Sequence, residues 1–240
     1  MVQPVLDSDL VAAARKGKRD AVVEVLAMHY PVVWRMATGL TGRADVGRGV
    51  TKFVMQRSLR VLSSWKDDAA PTRWFHHHTL LTTRRTTKHQ PDTTNDTFLK
   101  GTAPDVAYTA FIRAVRTLPM QQREAFILTH GEKLDIRSLA VAMDCSVTAA
   151  ANHLREAVDR LRVLAPAQYD AHVLRMNKAY EQLGPDEELA LKNVRGRVRG
   201  IVIPWVIGRA IRFIFSLILL AATIWAAWWV WRIVEHSLQR

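Results

Sequence analysis

The chain has 240 residues, of which 49% are hydrophobic, and it carries 34 basic and 22 acidic residues for a formal net charge of +12. This length and composition suit one or two folded domains with an accessory segment, and the charge favours an anionic partner such as nucleic acid or acidic lipid. The single cysteine, Cys145, excludes an internal disulfide and a zinc site with several cysteine ligands, and the first ten residues lack the pattern of a signal peptide.

The sequence from residue 8 to residue 88 predicts a helical domain. Apolar residues recur there at intervals of three and four, as they do in half-buried helices. We expect helices that begin near Ser8, Asp20, Val46 and Thr72. Residues 1–90 contain 15 basic and 7 acidic residues, so this part of the chain carries most of the net positive charge.

A polar stretch follows the first domain. Residues 86–105 are rich in Thr, Asp, Asn, Pro and Gly and contain few apolar residues. Such a composition is typical of linkers, because it cannot bury enough apolar surface to form a core. We therefore predict a linker over residues 89–106.

Residues 107–165 predict a second helical domain that contains a helix-turn-helix. Pro119 fits the first turn of a first helix, and Asp135 can cap a second one from Ile136 to Met143. After a three-residue break, Ser146 can cap a third helix. This third helix carries an apolar stripe at spacings of three and four residues, formed by Val147, Ala150, Leu154, Val158, Leu161 and Leu164.

The outward N-terminal face of the third helix is the part of a helix-turn-helix that enters the DNA major groove. The candidates for base and phosphate contacts on this face are Thr148, Ala149, Asn152, His153 and Arg155. Asn can pair with adenine, and Arg can pair with guanine or a phosphate. The small side chains of Ala149 and Ala151 would allow a close approach. The alternative is an ordinary three-helix unit whose outward face is only solvated.

Several residues spaced through this second domain form a pattern, namely Leu118-Pro119, Gln122 to Phe126, Leu139-Ala140, Ser146-Val147, Leu154 and Leu161-Arg162. With this pattern the domain resembles the fourth region of bacterial extracytoplasmic-function sigma factors. The resemblance implies that the domain binds the −35 promoter element. Members of that family often have Gly in the turn, where this chain has Asp144, and a basic residue early in the recognition helix, where it has Ala151.

The first domain carries a second pattern, formed by Asp20-Ala21, Tyr30-Pro31, Leu40-Thr41-Gly42, Ala44-Asp45 and Arg73-Trp74-Phe75. It resembles the second region of the same family, which holds core RNA polymerase and opens the −10 element. The melted strand needs aromatic stacking and cationic phosphate contacts. The resemblance therefore implies −10 contacts from the fourth helix, through Arg73, Trp74, His77, Arg84 and Arg85. The alternative for Trp74 is a place in the core.

The third predicted helix of the first domain corresponds to the polymerase-binding helix of the family. Family members usually carry acidic residues there, whereas residues 47–53 of this chain contain none. Reversed charge at an interface lowers affinity and association rate. Either apolar contacts replace the missing charges, or polymerase binding is weak; a third alternative is a divergent surface without this role. The candidates for polymerase binding are Val50, Phe53, Val54 and Arg57.

Two segments follow the second domain. Residues 166–200 predict a helical extension with a basic end. From Phe213 to Trp231 the chain has 19 uncharged residues, which as a helix would be about 28 Å long, close to the thickness of a bilayer core. Six basic and no acidic residues occur over residues 192–212, so the positive-inside rule places the N-terminal bulk in the cytoplasm. We predict a juxtamembrane and transmembrane segment over residues 201–232; the alternative is a buried core helix.

These patterns predict an all-α protein with two helical modules and a C-terminal transmembrane helix. The resemblance implies a sigma factor that directs core RNA polymerase to promoter DNA and has an anti-sigma factor as a further partner, and the uncharged C-terminal span predicts that it is tethered to the inner membrane. We expect no enzymatic activity and no cofactor, because no Ser/His/Asp set or phosphate-binding loop stands out in the sequence. We expect no metal, because side chains of consecutive residues such as His76 to His78 point about 100° apart on a helix. The alternatives are a membrane-bound helix-turn-helix regulator, a sigma-like protein without polymerase binding, and a hydrolase that uses these histidines.

Overall fold

The computed structural model describes residues 6–86, 96–100, 105–185, 188–198, 213–223, 225 and 228. Within these ranges all regular structure is helical, which confirms the all-α prediction. The chain divides into two compact units, Met1–Arg195 and Gly196–Arg240. The first unit contains every helix that carries a candidate functional residue.

The first group of helices is arranged around a long helix, α2, which packs against its three neighbours. The group consists of α1 (Ser8–Arg15), α2 (Arg19–Thr41), α3 (Ala44–Ser58) and α4 (Ala70–Thr86), with a 3-10 turn, η1 (Leu62–Ser64), before α4. Asp7 caps α1 by accepting a hydrogen bond from the backbone N–H of Asp9 (3.1 Å). After the last residue of α2, Gly42 adopts a left-handed conformation (φ 72°), which ends the helix.

Helix α3 crosses α2 closely at Gly47. A Cβ atom at this position would lie 2.9 Å from the Cα atom of Thr38, so the crossing leaves no space for a side chain. Gly47 lies in the stretch of α3 that lacks acidic residues. Packing against α2 therefore gives a structural reason for the glycine there.

The second group of helices consists of α5 (Val106–Thr117), α6 (Met120–His130), α7 (Ile136–Met143) and α8 (Val147–Leu164). The bounds of α7 agree with the prediction. The four helices enclose an apolar core that includes Phe111, Phe126 and Leu139. Apolar side chains of the first group belong to the same core, namely Val32, Met36, Leu40 and Leu80. The two groups therefore share buried apolar surface.

Part of the predicted linker is folded and packed against the helices. Residues 96–100 are described, and they form a short 3-10 turn, η2 (Thr97–Leu99), in which the Phe98 side chain is fully buried. Asp96 is buried as well and forms an ion pair with Arg116 of α5. The same guanidinium donates to the carbonyl oxygen of Gly39 in α2 (2.6 Å). Residues 89–95 and 101–104 of the predicted linker lie outside the described residues.

The extension begins with a helix that packs on the shared core. This helix is α9 (Tyr169–Glu181), and it buries Tyr169, Val173, Met176 and Tyr180. Residues 188–198 are also helical, as the sequence predicted for part of this segment.

The second compact unit is described over residues 196–198 and 213–223, which are helical, and at Trp225 and Trp228. The apolar side chains of residues 213–223 are exposed, with exposed fractions of 66% for Phe213 and 63% for Leu219. Among the helices of the described residues, none has the length and hydrophobicity needed to cross a membrane. The rest of the predicted transmembrane segment over residues 201–232 lies outside the described residues.

Candidate nucleic-acid interface

Local hydrogen bonds set the start of α7, the helix that precedes the turn in the helix-turn-helix. The Asp135 carboxylate accepts from the backbone N–H groups of Arg137 (2.8 Å) and Ser138 (3.0 Å), and from the Ser138 hydroxyl. These bonds, led by the one from the Ser138 backbone, lower the pKa of Asp135. The carboxylate therefore stays charged at neutral pH and stabilises the positive end of the helix dipole.

The turn between α7 and α8 depends on a left-handed residue. Asp144 has φ 56° and ψ 52°, a conformation that Gly adopts freely and that Asp tolerates better than most residues. The backbone N–H of Cys145 donates to the carbonyl oxygen of Ala140 (3.1 Å), which closes the end of α7. The geometry explains why Gly is common at this position in the family that the domain resembles.

Helix α8 begins at a serine cap and presents the predicted DNA-binding face. The Ser146 hydroxyl accepts from the backbone N–H of Ala149 (3.1 Å). Thr148 and Arg155 are exposed, while the other three predicted contact residues are half-buried: Ala149, Asn152 and His153. The Arg155 guanidinium donates to the Asn152 side-chain oxygen (3.0 Å), so these two side chains lie together on the surface.

The opposite side of α8 packs in the core, with some differences from the predicted apolar stripe. Ala150, Ala157 and Leu161 are buried, and Leu154 and Val158 are partly buried against the core. The two terminal members of the stripe, Val147 and Leu164, are exposed instead, with exposed fractions of 47% and 67%. Periodicity within α8 does not show that the two ends of the stripe are exposed.

On α4, two of the predicted −10 contact residues interact with the second helical group. Arg84 makes two hydrogen bonds to Glu124 of α6, from Nε to Oε1 (2.9 Å) and from Nη2 to Oε2 (2.8 Å). The Glu124 carboxylate raises the pKa of Arg84. His77 Nδ1 lies 3.3 Å from the carbonyl oxygen of Ala142 in α7. Sequence reasoning did not identify Glu124, since nothing near it in the sequence points to a partner 40 residues away.

The other −10 candidates on α4 lie nearer to solvent. Arg85 is exposed, and Arg73 is exposed in an ion pair with Asp67 (2.8 Å). The hydrogen bond from Arg73 is the main cause that lowers the pKa of Asp67. Trp74 is half-buried, with its ring 4.2 Å from that of His78 and 6.4 Å from that of Trp65. Trp74 therefore lies at the edge of an aromatic cluster and is neither fully buried nor freely exposed.

Two histidines near α4 are buried in their neutral form. His29 Nδ1 donates to the Val25 carbonyl oxygen (2.7 Å), and the Nε2 atom of the neutral ring accepts from the Thr72 hydroxyl (3.1 Å). Burial lowers the pKa of His29 to about 4, and burial together with the nearby His29 lowers the pKa of His76 to about 4. In the part of the chain that the structure describes, no group of three His, Cys, Asp or Glu residues is placed to hold a metal ion.

The structure corrects part of the predicted polymerase-binding set on α3. Val50 and Val54 are buried in the helical core, with exposed fractions of 2% and 0%, so they cannot contact a partner in this fold. Phe53, with 49% of its surface exposed, and Arg57 face solvent. The surface of α3 is therefore aromatic and basic, since Arg48 and Arg60 are exposed near them.

Comparison with known proteins gives one family match. Residues 108–161 match the family described as sigma-70, region 4. The match covers most of α5 and continues through α6 and α7 to the buried Leu161 of α8, so it includes the whole helix-turn-helix. No curated protein matched the chain.

Proposed function

We propose that this protein is a sigma factor of the extracytoplasmic-function type, which directs core RNA polymerase to promoters and has no catalytic chemistry of its own. The observation that carries the proposal is the coincidence of two findings. The residues that match sigma-70 region 4 form a helix-turn-helix, and the N-terminal face of α8 is exposed at Thr148 and Arg155.

The face of α8 has the chemistry needed to recognise the −35 element. Asn152 can make paired hydrogen bonds to adenine, and Arg155 can do so to guanine or contact a phosphate. The mutual hydrogen bond between them limits their rotamers before DNA binds, which lowers the entropic cost of ordering them. Ala151 is exposed beside them and small enough to let the helix axis come close to the base edges.

The first helical group would supply the remaining functions of a sigma factor. Trp74 at the edge of its aromatic cluster can stack on an unpaired base of the −10 element, and Arg85 can contact a phosphate. Phe53 and Arg57 on the solvent side of α3 are the candidates for docking on polymerase. Burial of the Phe53 ring would contribute roughly 1.5–3 kcal/mol at most.

We further propose that the C-terminal segment tethers the protein to the cytoplasmic membrane, with the N-terminal bulk in the cytoplasm. The support is the uncharged sequence from Phe213 to Trp231, its tryptophans near one end, and the basic residues that precede it. A chain that ends at Pro204 should fractionate as soluble protein, whereas the full chain should sediment with membranes. Full-length protein in the soluble fraction without detergent would contradict the tether.

A second candidate function follows from the surface of α3. Arg48 and Arg57 of α3, with Arg60 just after the helix, form a basic surface that does not complement the basic polymerase surface expected for this family. The protein could then bind DNA through α8 as a membrane-bound regulator and act through partners other than polymerase.

Transcription in vitro separates the two candidates. Core polymerase with the full chain should give run-off transcripts from a library of promoter fragments with random −35 and −10 elements. Asn152→Ala should relax the −35 sequence of the transcribed fragments, with about 1–3 kcal/mol lost in discrimination. Arg160→Ala, which removes an exposed charge farther along α8, should leave that sequence unchanged. Binding to the fragments without any transcript would favour the regulator.

A further inference from the structure

The C-terminal extension lies where the two helical groups meet. Helix α9 packs against both η2 and α2. Its Arg175 forms an ion pair with Asp105, the cap of α5 (2.6 Å). Farther along, Asn193 donates to the Tyr30 hydroxyl of α2 (3.3 Å). The extension therefore contacts the first helical group, the second one and the segment between them, although it lies outside the matched residues 108–161.

The deepest contact of the extension is Tyr180, whose side chain is fully buried. Its ring occupies a socket between two glycines, one from each helical group. A Cβ atom built on Gly39 of α2 would lie 2.6 Å from the Tyr180 ring, and one built on Gly131, just after α6, would lie 2.7 Å from it. Any side chain at either glycine would collide with the tyrosine, so the socket fits this ring closely.

The hydroxyl of Tyr180 completes a bridge between the groups. It donates to Glu132 Oε2 (3.0 Å), and Glu132 Oε1 is 3.2 Å from Arg35 Nη2 in α2. Burial, followed by the Glu132 charge, raises the pKa of Tyr180 well above its usual value, so the phenol stays protonated and can donate. The Tyr180 ring thus fills the space between the two helical groups. Its hydroxyl donates to Glu132, which forms the ion pair with Arg35 that joins them.

In this arrangement the second helical group covers part of α4. Two of its candidate −10 residues, Arg84 and His77, contact α6 and α7 of the second group. Both contacts would have to break before these side chains could bind a melted DNA strand. The −35 face of α8 needs no such change, because Arg155 and Thr148 are already exposed.

We propose that the C-terminal extension is an internal clamp, in which Tyr180, seated between Gly39 and Gly131, keeps the two helical groups together and withholds the inner side of α4 from DNA. The clamp itself is independent of the identity of the protein, whereas its effect on DNA rests on the proposed sigma-factor function. Removing the clamp should raise the fraction of open molecules, and apparent affinity rises in proportion to the fraction that is competent to bind.

The direct test is a distance measurement between the groups in the full chain, kept in a mild detergent. Spin labels are placed on exposed positions of α3 and α8, with Gln56→Cys and Asp159→Cys in a Cys145→Ser background. The labelled protein that retains Tyr180 should give one narrow distribution of distances between the two labels. Tyr180→Ala should give a broader distribution at longer distances, and Leu174→Ala, which truncates an exposed residue of the same helix, should leave it narrow.

A second variant separates opening from simple loss of packing. Gly39→Ala favours helix formation in α2, since Ala has the higher helix propensity, yet its new methyl group must displace the Tyr180 ring. It should therefore open the groups while helix content by circular dichroism stays constant. In the double variant Gly39→Ala with Tyr180→Ala, the methyl group should have no further effect, because the ring that it strikes is gone.

The outcomes distinguish the clamp from the proposed function. A narrow, unshifted distribution in both Tyr180→Ala and Gly39→Ala overturns the clamp, whatever the proteins do with DNA. A shifted distribution together with several-fold more run-off transcript from a promoter enriched in the library supports both parts of the proposal. A shifted distribution with unchanged transcript overturns the withholding of α4. If no variant gives any transcript, the sigma-factor function fails while the clamp stands.

Discussion

Helices α8 and α4 carry the two sets of candidate DNA contacts, and the fold treats them differently. The N-terminal face of α8 points to solvent, with Asn152 and Arg155 bonded to each other. On α4, Arg84 is hydrogen-bonded to Glu124, and His77 Nδ1 lies beside the carbonyl oxygen of Ala142. Glu124 and Ala142 both belong to the second helical group. Under the proposed sigma-factor function, α8 can bind the −35 element in this arrangement. Use of Arg84 and His77 at the −10 element requires their contacts with the second helical group to break.

The largest effect is expected at the buried ion pair between Arg116 and Asp96, which lies where the two helical groups meet. Arg116 and Asp96 are both almost fully buried, and Arg116 also donates to the Gly39 carbonyl. Arg116→Met should lower the free energy of unfolding by about 3–5 kcal/mol, because it leaves the Asp96 carboxylate buried without a partner. Urea denaturation followed by circular dichroism would measure the loss. A change below about 1 kcal/mol would show that the pair is dispensable and that η2 does not join the two groups.

Acid should weaken the packing around α4. His29 and His76 are buried, and the pKa of each is lowered to about 4 from an ordinary value near 6.5. Below pH 6.5 the unfolded chain therefore binds protons that the folded chain does not, so stability is full above about pH 6.5 and falls as the pH approaches 4. The loss should reach at most about 3 kcal/mol for each histidine. Thermal unfolding between pH 7 and 4.5 should show it, and His76→Gln should flatten the profile.

How much of the fold and of the candidate site could be predicted from the sequence depends on how far apart the interacting residues lie in the chain. The bounds of α7 and the caps at Asp135 and Ser146 were predicted correctly, because a cap and its helix are neighbours in the chain. On α3, the apolar pattern could not show where the buried side of the helix ends. Val50 and Val54 lie inside the core while Phe53, only about 60° around the helix from Val50, faces solvent.

The contacts that join the helical groups were outside the reach of sequence analysis. Asp96 lies in a polar stretch that has the composition of a linker, yet it pairs with a residue 20 positions away. Tyr180 contacts Gly39 and Gly131, which are far from it in sequence, and no local periodicity marks such a socket. Arg84 was identified as a −10 candidate from its residue type, but the Glu124 partner that occupies it became visible only in three dimensions.

A moderate effect is expected from the cap of the recognition helix. Ser146→Ala removes the acceptor for the Ala149 backbone N–H and should lower the free energy of unfolding by about 1 kcal/mol. The −35 contacts should weaken with it, since Thr148 and Asn152 lie in the first turns of α8. Ser146→Asp, which keeps a capping oxygen, should restore stability. Equal loss in both variants would mean that the cap is not the cause.

The smallest effect is expected at an exposed ion pair on α4. Arg73 and Asp67 are both about half exposed, and ion pairs of this kind contribute little because water and salt screen them. Arg73→Ala should leave the unfolding midpoint unchanged. Any decrease in promoter opening by this variant can then be assigned to a lost DNA contact. A clear drop in thermal stability would instead make Arg73 a structural residue.

The central claim is that α8 is available to promoter DNA while α4 is partly withheld by the second helical group. Permanganate footprinting of a polymerase–promoter complex tests it directly, because unpaired thymines in the −10 element react and paired ones do not. The same complex shows protection at the −35 element. We expect equal −35 protection with the wild-type chain and with Tyr180→Ala, and several-fold stronger −10 reactivity with Tyr180→Ala than with the wild-type chain. Equal −10 reactivity in the two complexes, or no −35 protection in either, would contradict the claim.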